Sequence, residues 1–78
     1  MKTIIKEVRR KGNNDETLIL VLYTEDGISK VDLDVITQDG RITMARTEHK
    51  TMEGAEQFFA ESLEAMGNIY RIGKLKTL

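Results

Sequence analysis

The chain has no cysteine, no proline, no tryptophan and a single histidine. Without cysteine there is no disulfide, no thiolate metal site and no cysteine nucleophile. One histidine rules out a His-pair zinc site within one chain. Charge of one sign is also lacking: 12 basic residues stand against 13 acidic ones, a net of −1, so nothing pulls the whole molecule toward nucleic acid or acidic lipid. No apolar run reaches the length of a membrane span. The stretch MKTIIKEVRRKG is too polar for a signal peptide. The expected setting is cytoplasmic, away from membranes. No GxSxG, HExxH, GxGxxG or GxxxxGK[ST] pattern occurs.

Residues 1–78 read as one domain. Surface scaling at 8.9 kDa gives a folded area of roughly 4,800 Å², so the chain can build one thin core. With no disulfide or metal to staple so small a core, oligomerisation is the remaining support.

With proline absent, glycine carries the punctuation. Gly12, Gly27, Gly40 and Gly67 each adjoin Asn or Asp, residues that tolerate left-handed backbone. Between these marks the periodicity is of strands. Residues 2–10 form a first segment. Thr17 to Thr24, TLILVLYT, is apolar on both faces, as suits a central strand covered on two sides. Ile28 to Thr37 alternates, with Val31, Leu33 and Val35 on one face and Lys30, Asp32 and Asp34 on the other. Residues 41–46 follow, with Ile42 and Met44 as the expected inward pair. TEDG and TQDG sit between these runs, and Asp-Gly between alternating apolar segments is a strong hairpin signal. The two copies are read as one turn used twice.

From Thr51 the period changes to that of a helix. Met52, Ala55, Phe58, Phe59, Ser62, Leu63 and Met66 form one stripe. Thr51 is the expected N-cap, and Gly67 with Asn68 the expected stop. IYRIGKL after it reads as a short final strand. The expected fold is therefore α+β: an antiparallel meander of about four strands, one amphipathic helix on one face, and a short C-terminal strand. This element order resembles that of a family of single-stranded-DNA binders, which place a four-stranded meander before a helix and work as dimers, and that of HicB-type antitoxin domains, with three strands, a helix and a strand. No residue motif accompanies the resemblance, so it assigns no site.

Candidate sites are few. Asp32 and Asp34 share a strand face, but their spacing is wrong for a calcium loop. They read as a solvated face beside Lys30. His49 lies in TEHKT, a polar strand-to-helix junction beside Glu48, and the stock of hydroxyls it could activate is thin. No catalytic residue, cofactor or metal ligand is expected. The charge layout is more informative. Residues 1–12 carry a net +4 through Lys2, Lys6, Arg9, Arg10 and Lys11, the helix a net −4, and the last ten residues +3 through Arg71, Lys74 and Lys76. If the chain ends meet, these cations form a basic ridge able to follow a phosphate backbone. A second surface comes from parity. One helix covers one side of a sheet, so Ile19, Val21 and Tyr23 are left as an apolar row on the other, a candidate self-association face unless the C-terminal segment, through Ile69, Tyr70, Ile72 and Leu75, folds back over it. The leading expectation is a small non-enzymatic accessory or binding protein that acts through macromolecular contact as a homodimer, with a protein partner in view. A single-stranded nucleic-acid-binding module is the alternative, and a small enzyme the third.

Overall fold

The computed structural model describes the backbone of residues 1–12 and 15–76, and the side chains of these residues as far as 67. Four strands, β1 (Lys2–Lys11), β2 (Thr17–Glu25), β3 (Ile28–Thr37) and β4 (Gly40–His49), precede one helix, α1 (Met52–Lys76). The sheet is an antiparallel meander in the order β1-β2-β3-β4, with β1 and β4 as its edges.

The repeated Thr-x-Asp-Gly is not one turn used twice. In the first copy Glu25 pairs with Ile28, and the corner residues Asp26 and Gly27 both have positive φ, 53° and 80°. That is the primed turn whose twist matches a two-residue hairpin. In the second copy Thr37 pairs with Gly40, so the corner is Gln38-Asp39. Only Gly40 is left-handed there, at φ 121°. The Asp39 amide donates to Thr37 Oγ1 at 3.2 Å, which holds the shifted corner.

Thr51 caps α1 as its sequence position implies. The Gly54 amide donates to Thr51 Oγ1 at 3.0 Å. The expected C-terminal strand over residues 69–75 is not formed: α1 continues through Gly67 to Lys76. Gly67 adopts no left-handed conformation, and a glycine within a helix costs only about 1 kcal/mol. No proline follows to stop the chain.

α1 lies over β2, β3 and β4 and makes no contact with β1 among the described residues. Beneath it Leu20, Leu22, Val31, Ala55, Phe59 and Met66 are buried together. The molecule is a slab, 44 × 26 × 15 Å, with a radius of gyration of 13.4 Å against about 11.5 Å for a compact chain of this length. So thin a body leaves one side of the sheet with no second layer.

Candidate interaction surfaces

The sheet side away from α1 is built around the row Ile19, Val21 and Tyr23. Its neighbours on β3 are Asp34, Asp32 and Lys30, and on β1 Arg9, Glu7 and Ile4. The alternation of β3 implies this arrangement, but not its consequence. The row is at most 1% exposed within the single chain. It is therefore not an exposed self-association face, which corrects the expectation drawn from parity. Nor does the C-terminal segment cover it, since residues 69–76 belong to α1. Ile36 packs against the row, the Lys2 ammonium stands over the Tyr23 ring, and charged side chains of β3 and β4 meet one another on this side.

Those side chains form a lattice. Arg46 on β4 grips Asp32 with Nε and Nη2 at 3.0 and 2.9 Å. The Tyr23 hydroxyl, 3.1 Å from both oxygens of Asp32, donates to the same carboxylate. Arg41 meets Asp34 at 2.8 Å. Lys30 lies between Glu25 at 3.2 Å and Glu48 at 3.6 Å rather than against the aspartates. The Lys2 ammonium stands 4.3 Å from the centre of the Tyr23 ring, in cation–π range. Asp32 and Asp34 are buried, 2% and 6% exposed, and are not the solvated pair read from sequence. Burial, and then the bond to Asp32, raise the Tyr23 hydroxyl above its ordinary pKa. Arg46 is raised chiefly by its hydrogen bonds to Asp32, and Lys30 by its bond to Glu25. Arg46 takes both oxygens of Asp32, whereas Arg41 takes only Oδ2 of Asp34 and leaves its buried Oδ1 without a partner among the described residues, and these residues hold no group of three or more His, Asp or Glu able to bind a metal.

The helix side holds the opposite chemistry. A cleft of about 460 Å³ lies between α1 and the sheet. Leu18, Leu20, Leu33 and Val35 form its floor, with Met44 toward β4 and Phe58 and Met66 toward the helix. Ile42, paired with Val35, stands beside it. Ile42, Met44 and Phe58 are 58%, 60% and 38% exposed. The expected inward pair Ile42 and Met44 thus faces water. The stripe of α1 that seals the core packs on Leu20, Leu22 and Val31 and leaves the first half of β4 uncovered. Met44 is moreover the extra residue of a bulge, since Leu33 pairs with Ala45 and Asp34 with Thr43. Nothing in the periodicity of residues 41–46 marks that bulge.

The basic ridge is divided. Opposite β2, Lys2, Arg9 and Lys11 take the charged side of the sheet, and Lys6 and Arg10 the helix side. Arg71, Lys74 and Lys76 fall in the last turns of α1, where side chains lie outside the described set. His49 ends β4 with Nε2 2.8 Å from Thr47 Oγ1 and its ring 5.1 Å from Phe58. No helix among the described residues is long and apolar enough to cross a membrane. The chain matches no family profile, no curated protein and no solved structure.

Proposed function

We propose that the chain is a small non-enzymatic binding protein that acts through contact with other macromolecules and works as a homodimer. The observation that carries this reading is surface area. The single chain exposes 5698 Å², about 900 Å² more than the roughly 4,800 Å² that its mass predicts. A standard protein interface hides about 800 Å² on each partner. The excess includes apolar surface, because the cleft under α1 and its rim of Ile42, Met44 and Phe58 stand open. Covering that side with a second copy leaves the charged lattice outward, as the surface offered to a protein partner. A chain with no cysteine also suits a cytoplasmic setting, where disulfides bring no gain.

Unfolding at two concentrations tests the reading. A dimer that hides the cleft has a urea midpoint that rises with protein concentration, because association stabilises only the folded chain. An unchanged midpoint between about 1 and 100 µM contradicts it. The nucleic-acid reading rests on β1, whose cations lie on two sides of the sheet. Anisotropy with labelled single-stranded and duplex oligonucleotides at 50 and 200 mM salt decides that reading. Binding at 50 mM that weakens at 200 mM restores it, and no binding at 50 mM removes it.

A further inference from the structure

Sheet edges are where chains join, and the two edges here differ. β1 carries Lys2, Lys6, Arg9, Arg10 and Lys11 along its length and is bulged at Ile5, so its exposed Ile4 and Ile5 sit between lysines at a break in the ladder. Cations and bulges are the usual guards of an edge strand. β4 carries two cations, Arg41 and Arg46, and carboxylates of β3 hold both. The exposed side chains Ile42 and Met44 also lie on β4, beside the open cleft.

The bulge gives β4 an unusual symmetry. Opposite β3, Arg41, Thr43, Arg46 and Glu48 take the charged side of the sheet, and Ile42, Ala45 and Thr47 the helix side. Met44 lines the cleft and so joins the helix side. The order of sides therefore reads the same in both directions from the point between Met44 and Ala45. In an antiparallel pair, residues directly opposite must share a side. A two-fold axis through that point satisfies this at every step. It sets Ile42 opposite Thr47, Thr43 opposite Arg46 and, on the charged side, Arg41 opposite Glu48 of the second copy, twice over.

We propose that β4 pairs with β4 of a second copy about this axis, joining two four-stranded sheets into one of eight. The two clefts then meet across the seam, and Ile42, Met44 and Phe58 of each copy are covered by the other. The inference rests on the homodimer reading and specifies which edge makes the dimer.

The absence of cysteine makes the test clean, because an introduced cysteine is the only thiol. Single variants Met44→Cys and Ala45→Cys lie next to their own copies across the axis and should form a disulfide-linked dimer under mild oxidation. Arg41→Cys should not, since its copy is seven residues away along the strand, about 24 Å. Mixing Arg41→Cys with Glu48→Cys should restore the link. Cross-linking at Lys6→Cys on β1, or equal yields at all positions, overturns the proposal. Sedimentation of the unoxidised variants separates the two readings. Dimers without a β4 link remove this edge alone, and monomers remove the homodimer with it.

Discussion

Replacing Arg46 with alanine is the sharpest test of how the charged side of the sheet is held. Arg46 supplies two of the bonds to Asp32, which is 2% exposed and, among the described residues, otherwise bonded by the Tyr23 hydroxyl. Removing one partner of a buried ion pair costs about 3–5 kcal/mol, because a charge is left uncompensated in the interior. The Arg46 side chain is itself 52% exposed on an edge strand, so water can enter and part of that cost is recovered. We expect about 2–3 kcal/mol, a large share of the roughly 4–12 kcal/mol typical of a domain this size. With a urea slope near 1 kcal/mol/M, the midpoint should fall by about 2–3 M. Arg9→Ala is the control: its exposed pair with Glu7, at 3.4 Å, should be worth less than about 0.5 kcal/mol. The double variant Asp32→Val with Arg46→Val should recover much of the loss, since an apolar pair leaves no buried charge. If Arg46→Ala unfolds within 0.5 kcal/mol of the parent, the lattice is decoration and does not shelter the row beneath it.

Gly27→Val should destabilise by roughly 1 kcal/mol or more from backbone strain alone, because its φ is 80° and an added Cβ meets no atom within 4 Å; parental stability in urea refutes the turn. Phe59→Ala should cost about 3–5 kcal/mol, and Phe58→Ala clearly less at high dilution, because Phe59 is 5% exposed and Phe58 38%; equal losses refute the orientation of α1. The raised pKa of Tyr23 means that the folded chain holds its phenolic proton longer than the unfolded one, so this contribution is complete below pH 10.0 and is lost as pH rises through the folded value. Tyr23→Phe should therefore lose about 1 kcal/mol near neutrality and show a shallower decline in urea midpoint above pH 10; an unchanged alkaline slope refutes it.

Much of this architecture is legible in the order of residues. The double-faced apolar run of β2 implies a central strand, and the alternation of β3 places Lys30, Asp32 and Asp34 beside Tyr23, Val21 and Ile19, as the register confirms. Thr51 announces the start of α1. Three features are not legible, each for a physical reason. Parity states which side a residue faces but not what its neighbours' side chains cover, so a row buried beside Ile36, Lys2 and the Arg46–Asp32 pair reads as an exposed one. A bulge inserts one residue without a compositional mark, so the shift that puts Ala45 on the helix side and Arg46 on the charged side, beyond Met44, cannot be read from the periodicity. Two Thr-x-Asp-Gly tetrapeptides adopt different turns because register, fixed by strand pairing, decides which of their residues occupy the corner. The end of α1 is a fourth case: a glycine permits a stop but does not require one.

In the proposed dimer two copies of this chain cover each other's helix-side apolar surface. Sedimentation of the unaltered protein at micromolar concentration measures this directly, with Met44→Lys run beside it. We predict a species of twice 8.9 kDa for the parent, and one near 8.9 kDa for the variant, whose added charge lies in the seam without disturbing a core from which Met44 is 60% exposed. A parent that sediments as a single 8.9 kDa species rules out the dimer.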